Sequence, residues 1–200
     1  MSLPRPSSLA VPSGQAFPGE FSPQERTLLL RLAHDSILSA LEGRDIPLDP
    51  PTDHFAEPRG AFTSLYLQGQ LRGCVGYVLP VSPVYRAVAD TARAAAFEDT
   101  RFHPVTLPEA SQLEVQLSIL SPPQAIAAEA VEIGRHGLLI SMAGCRGLLL
   151  PQVPTEHNWD RLTFLEQTCR KAGLPRDAWQ KGASIEAFTA EVFGDERSSD

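Results

Sequence analysis

The sequence predicts an α+β protein built on a largely antiparallel or mixed sheet packed by helices. Three observations lead there. Strand-like runs come in pairs joined by short turns, as hairpins, rather than alternating with helices as β-α-β units. Three amphipathic helical segments are interspersed among them. Two hundred residues, 42% apolar and 20% charged, can bury a large core without a disulfide or metal staple.

Residues 1–20 are rich in proline, serine and glycine without periodicity and read as a flexible extension ahead of a domain at 21–194, with a frayed tail at 195–200. The first helix follows in "SPQERTLLLRLAHDSILSALEG": Ser22 caps, Pro23 suits the first turn, Glu25 completes a capping box, and Gly43 stops it. Leu29, Leu32, Ala33, Ser36, Ile37, Ala40 and Leu41 recur at helical spacing, with His34 at the edge of that face in a structural place. In "AFTSLYLQGQLRGCVGYVL" two strand-like runs flank "QGQ", a hairpin. Ser82 and Pro83 open a second helix, whose many alanines allow close approach to a sheet. "LEVQLSIL" alternates as a half-buried strand, and "HGLLISMAGCRGLLLPQV" reads as a second hairpin turning near "AGC". "WDRLTFLEQTCRKAGLP" is a third helix ending at Gly173 and Pro175, and "SIEAFTAEVF" reads as one closing strand.

No apolar run approaches the roughly 20 residues of a membrane helix, and the N-terminus lacks a basic-then-apolar leader, so the expected location is cytoplasmic. The net charge of −7 argues against bulk nucleic-acid binding. Residues 59–103 nevertheless hold five arginines against three acids, which hints at a small anionic ligand; arginine is also simply the default cation of a chain with two lysines. Cys74, Cys145 and Cys169 are odd in number and widely spaced, so no disulfide framework is expected. Without C-x-x-C or H-E-x-x-H, no metal site is visible.

"QLRGCVGYVLP" (70–80) places one of those cysteines between two glycines in an apolar run. In an extended strand Arg72, Cys74 and Gly76 share one face, and Leu71, Gly73, Val75 and Tyr77 the other. A guanidinium beside a thiol favours the thiolate, and glycine clears room for a substrate. A small buried cysteine with glycines serving tight packing fits the same string. Nucleophile, ligand pocket and plain structure all stay open on this reading.

The string "LRGCVG" closely resembles the L-R-G-C-I-G hallmark of the AMMECR domain family, component A of the AmmeMemoRadiSam system. Further blocks follow in the family's order: "RGAFTSL" (59–65), "AFEDTRFHPVT" (96–106), "GRHGLLI" (134–140), "GLLLPQV" (147–153) and "IEAFTAEVFGDE". Val75 replaces the commoner isoleucine, and "DTRFHP" departs from D-P-R-F-P-P at His103. The resemblance implies a larger and a smaller lobe forming a cleft near the hallmark. It also implies a shared pathway with a Memo-like protein and a radical-SAM enzyme, and it brings no settled activity or cofactor.

Candidate residues follow from both readings. Cys74 is the candidate nucleophile and His136 the candidate general acid or base, its ordinary pKa lying near neutrality. Arg72, Gly73, Gly76, Arg101 and Gln152 are candidates for ligand binding, the arginines as anion forks and Gln152 as a neutral donor and acceptor. Cys145 and Cys169 look structural, and His54 and His157 carry no signal of their own. The function is then an enzyme acting by cysteine chemistry on a small molecule, nucleotide, RNA or protein side chain, or a non-catalytic module that binds a ligand or peptide.

Overall fold

The structure, a computed structural model, describes residues 19–195; the expected extension up to residue 18 and the tail beyond 195 lie outside the described residues. Helix α1 (Pro23–Glu42) is bounded as its sequence dictates. The Ser22 hydroxyl accepts from the Glu25 N–H, the Glu25 carboxylate accepts from the Ser22 N–H at 2.8 Å, and Gly43 closes the helix at φ 67°. Its apolar stripe includes Leu29, Leu32, Ala33 and Ile37, and buried Ser36 is satisfied by bonding back to the Leu32 carbonyl.

A four-residue turn of helix, α2 (Asp53–Ala56), leads into β1 (Gly60–Leu67) and β2 (Gln70–Tyr77). These strands form a hairpin through Gln68 and Gly69, both at positive φ, as a two-residue loop requires. Helix α3 (Val84–Phe97) buries Ala87, Val88, Thr91, Ala92 and Ala95. Ser82 does not cap it: the hydroxyl bonds to Tyr77 at 2.9 Å, and the cap position falls on Pro83, which has no side chain to offer. The short α4 (Leu107–Ala110) precedes β3 (Leu113–Leu120), whose alternation was plain in the sequence.

Beyond β3 the chain builds a second sheet with its own helices, the second layer: β4 (Gln124–Ala125), a hairpin of β5 (Gly137–Met142) and β6 (Cys145–Leu149), α5 (Gln152–Glu156) and α6 (Arg161–Lys171). Asp160 caps α6 and Gly173 stops it at φ 74°. The expected closing strand is two strands. β7 (Ser184–Phe188) and β8 (Ala190–Gly194) break at Thr189, where Ser121 exchanges two hydrogen bonds with its backbone. That break carries the chain from one sheet to the other.

There are two four-stranded sheets, ordered β2-β1-β3-β8 and β4-β7-β5-β6, and every pairing is antiparallel. Each has its own core. Leu29, Ile37, Leu65, Val88, Val115 and Leu117 lie between α1, α3 and the first sheet. Leu138, Ile140, Phe164, Leu165 and Cys169 lie between α6 and the second. Burying side chains of this size contributes about 1.5–3 kcal/mol each before entropy is counted. Among the described residues, no helix is long and apolar enough to cross a membrane.

Candidate functional site

The hairpin register departs from simple zipping at one place. Leu67 faces Gln70 and Tyr66 faces Leu71, but Leu65 faces Gly73, so Arg72 is an extra residue, a β-bulge. Beyond it every partner moves by one, and Ser64, not Thr63, stands opposite Cys74. Gly73 then turns toward α3. A Cβ there would sit 2.1 Å from the Ala95 carbonyl, so glycine is what lets strand and helix approach. Gly76 lies under the Phe62 ring, which a Cβ would meet at 2.4 Å. Both glycines of the motif thus serve packing, and Cys74 between them stays half-buried on the sheet face away from α3.

Cys74 sits on an edge strand, with its N–H and carbonyl pointing away from β1. Two side chains take the place of the missing strand. Its N–H donates to Asp99 Oδ2 at 2.9 Å, and its carbonyl accepts from Arg101 Nη2 at 3.3 Å. Asp99 and Arg101 hold each other through Nε and Nη2, at 2.9 and 2.6 Å. The guanidinium keeps the Asp99 carboxyl well below the usual carboxylate range against the opposing effect of burial. Arg101 is in turn pushed up by Asp99 and lies within electrostatic reach of Cys74. Its side chain is 50% exposed while that of Asp99 is 6% exposed, so the pair presents an oriented guanidinium to solvent from a buried anchor. The Ser64 hydroxyl donates to Cys74 Sγ at 3.2 Å. Among the described residues no imidazole or carboxylate bonds to that sulfur.

Arg72 is committed elsewhere. It forms a bidentate pair with Glu109 at 3.0 and 3.2 Å and donates to the carbonyls of His103 and Pro104. That pairing, with the Thr106 N–H, holds the Glu109 carboxyl down to about 2. The bulged arginine ties the 103–109 segment to β2. A hollow of about 310 Å³ opens between β2 and α3, lined by Val75, Tyr77, Asp90, Thr91, Arg93, Ala94 and Glu98.

His136 and Gln152 belong to the second layer. His136 closes a turn on Glu132: Nδ1 accepts the Glu132 N–H at 3.1 Å, and its own N–H donates to the Glu132 carbonyl. Burial lowers its pKa, with Glu132 opposing and Arg135 assisting. Nε2 has no partner among the described residues. Gln152 begins α5 and is half-buried. Cys169 is fully buried, and Cys145 is exposed at the start of β6, just past the β5–β6 turn. His34 pairs with Asp195, His157 stacks on Trp159, and His54 stacks on Phe21 while bonding to Glu25 at 2.7 Å.

Glu20, His54 and Glu57 are a potential cation cluster, with donor atoms within 4.8 Å of one another. The buried guanidinium of Arg59 already bonds to both Glu20 and Glu57, so the group reads as an ion-pair network.

Sequence reasoning passed over Ser64. A two-residue loop alone pairs Ser64 with Gly73; only the bulge brings it to Cys74. Asp99 was legible only as an acid near Arg101, and Glu109 carried no signal in the sequence.

These features define a class: an α+β protein of two antiparallel sheets in which Cys74 sits on a bulged edge strand anchored by an aspartate–arginine pair. The chain belongs to the AMMECR1 family, whose profile matches residues 30–193. It is 40% identical over 185 residues to a protein of Methanopyrus kandleri, covering 86% of this chain and 89% of that one. A Methanosarcina acetivorans protein is 42% identical over 180 residues, covering 84% and 90%. A crystal structure of an uncharacterized protein from Pyrococcus horikoshii superposes with a TM-score of 0.65 at 38% identity, covering 84% of this chain and 90% of that one.

Proposed function

We propose that the chain is an enzyme in which Cys74 is the reacting group and Arg101 receives a small anionic substrate. One observation carries this reading: the same short segment of β2 holds a half-buried thiol that accepts a hydrogen bond from Ser64 and a guanidinium oriented by Asp99. A thiol attacks as its thiolate, so the proton leaves sulfur before reaction. A guanidinium preset by a buried carboxylate loses little freedom on gripping a carboxylate or phosphate. His136 through its open Nε2 and Gln152 through its amide are the second layer's candidates for proton transfer and substrate orientation. Gly73 and Gly76 support the site by packing, and Arg72 by holding the 103–109 segment. The family resemblance adds a Memo-like protein and a radical-SAM enzyme as proposed partners in a shared pathway.

A second reading, a non-catalytic ligand-binding module, is favoured by the lack, among the described residues, of an imidazole or carboxylate bonded to the sulfur. Alkylation of each cysteine against pH, read by mass spectrometry on the native protein, separates the two. The enzyme reading expects Cys74 to react on a titration curve of its own that shifts with Arg101→Ala, and Cys74→Ser to trap a substrate. A Cys74 that stays inert while exposed Cys145 reacts sinks it and leaves the binding module.

A further inference from the structure

The first sheet has two edges. On β2 the Asp99–Arg101 pair takes up the outward N–H and carbonyl of Cys74, next to the bulge at Arg72. On β8 the pairing with β3 fixes the other phase: Thr189 and Asp195 bond to Ser121 and Val115, so alternate residues between them face β3. Val192 and Gly194 therefore direct N–H and C=O outward, and among the described residues nothing meets them. Both residues are exposed. Glu191, a charge that would discourage another strand, is neutralised by Arg26 at 2.8 Å.

Beside this edge runs a groove of about 700 Å³ between β8 and one face of α1. Leu30, Phe193 and the Pro23 ring supply its apolar surface. Its ionisable side chains are Arg26, Arg31, His34 and Asp195. Arg26 is taken by Glu191, and His34 and Asp195 bond to each other, which leaves Arg31 exposed and unpaired among the described residues. Its guanidinium is the group here that stands free next to open backbone.

We propose that β8 and α1 form a docking groove for an extended, acidic segment of a partner protein, which adds as a fifth strand to the first sheet. Main-chain bonds to Val192 and Gly194 supply affinity, an apolar side chain covers Leu30 and Phe193, and a carboxylate meets Arg31. Strand addition beside a helix works this way: the edge gives binding and alternate side chains give selectivity.

The test pans a phage-displayed random heptapeptide library on the full chain and follows amide exchange at Val192 and Gly194. The expected result is fast exchange in the free protein, enrichment of heptapeptides carrying Asp or Glu among alternating apolar residues, and protection of both amides when a selected peptide binds. Val192→Pro removes one outward donor without touching the β3 ladder and should weaken binding about tenfold or more. Arg31→Glu changes an exposed, unpaired side chain, so folding survives, and it should weaken acidic peptides about tenfold while admitting basic ones. The proposal is overturned by absence of acidic enrichment, or by binding indifferent to both substitutions. Protection already present in the free chain also overturns it: independent of concentration, a segment of the chain itself covers the edge; rising with concentration, a second copy does.

Discussion

The string G-C-x-G occurs twice in this protein, once in each hairpin, and the two copies share almost nothing physically. In the first, Gly73–Gly76, the cysteine lies mid-strand, half-buried, bonded by Ser64, with its backbone held by Asp99 and Arg101. In the second, Gly144–Gly147, Cys145 stands exposed at the start of β6, just past a turn. Gly73 is pressed against a helix carbonyl, whereas Gly144 has open space around it and is needed for its φ of 82°. Only the last glycines correspond: Gly147 would meet the Ala172 backbone at 2.2 Å as Gly76 would meet Phe62. A local string thus sets what a residue is able to do, and its neighbours across the sheet set what it does.

The largest expected difference is steric. Gly73→Ala drives a methyl into the Ala95 carbonyl and should destabilise by about 3 kcal/mol, while Gly144→Ala meets only backbone strain and should lose about 1 kcal/mol. Urea unfolding of the two variants measures both, and equal losses would break the contrast. Next comes the anchor. Asp99→Ala leaves the Cys74 N–H and Arg101 without their acceptor and should cost about 2 kcal/mol. It should also raise exchange at the Cys74 amide, with no change at Cys145.

The charged supports of the first layer predict an acid limb. Glu25 and Glu109 are held at about 2 against an ordinary 4.5, the former chiefly by His54 and the latter chiefly by Arg72. A lowered folded pKa gives stability that is complete above the unfolded value and is lost as pH falls toward the folded one. Unfolding midpoints should therefore drop between about pH 4.5 and 2, and Glu109→Gln should flatten part of that slope. The smallest effect isolates the sulfur. Ser64→Ala removes one hydrogen bond of about 1 kcal/mol and should alter the alkylation rate of Cys74 a few-fold while leaving Cys145 unchanged. A matching change at both cysteines would mean a global effect and would remove Ser64 from the site.

Much of the architecture could be read directly. The capping box of α1, the hairpin turn at "QGQ", the alternation of β3 and the stop at Gly173 are local signals, carried by residues within a few positions of one another. The family was legible because "LRGCVG" and the later blocks kept their order. Three things were not legible. Ser82 reads as a helix cap until Tyr77, five residues earlier, claims its hydroxyl. The run 184–194 reads as one strand because its alternation continues past Thr189, and only two separate sheets give the break a reason. Arg72 reads as a neighbour of the thiol until Glu109, 37 residues on, takes its guanidinium.

What the sequence determined by itself is what short range decides: element types, caps, turns, the apolar faces and the family. Tertiary structure alone decided the register slip at Arg72, the pairing of Ser64 with Cys74 and the replacement of Arg72 by Arg101 beside the motif. It also decided that the outward backbone of Cys74 on β2 is taken by Asp99 and Arg101, whereas that of Val192 and Gly194 on β8 meets nothing among the described residues. The reason is geometric. Side chains alternate with a period of two, so a single bulge reassigns every partner beyond it, and the site depends on contacts between segments that the chain order leaves far apart.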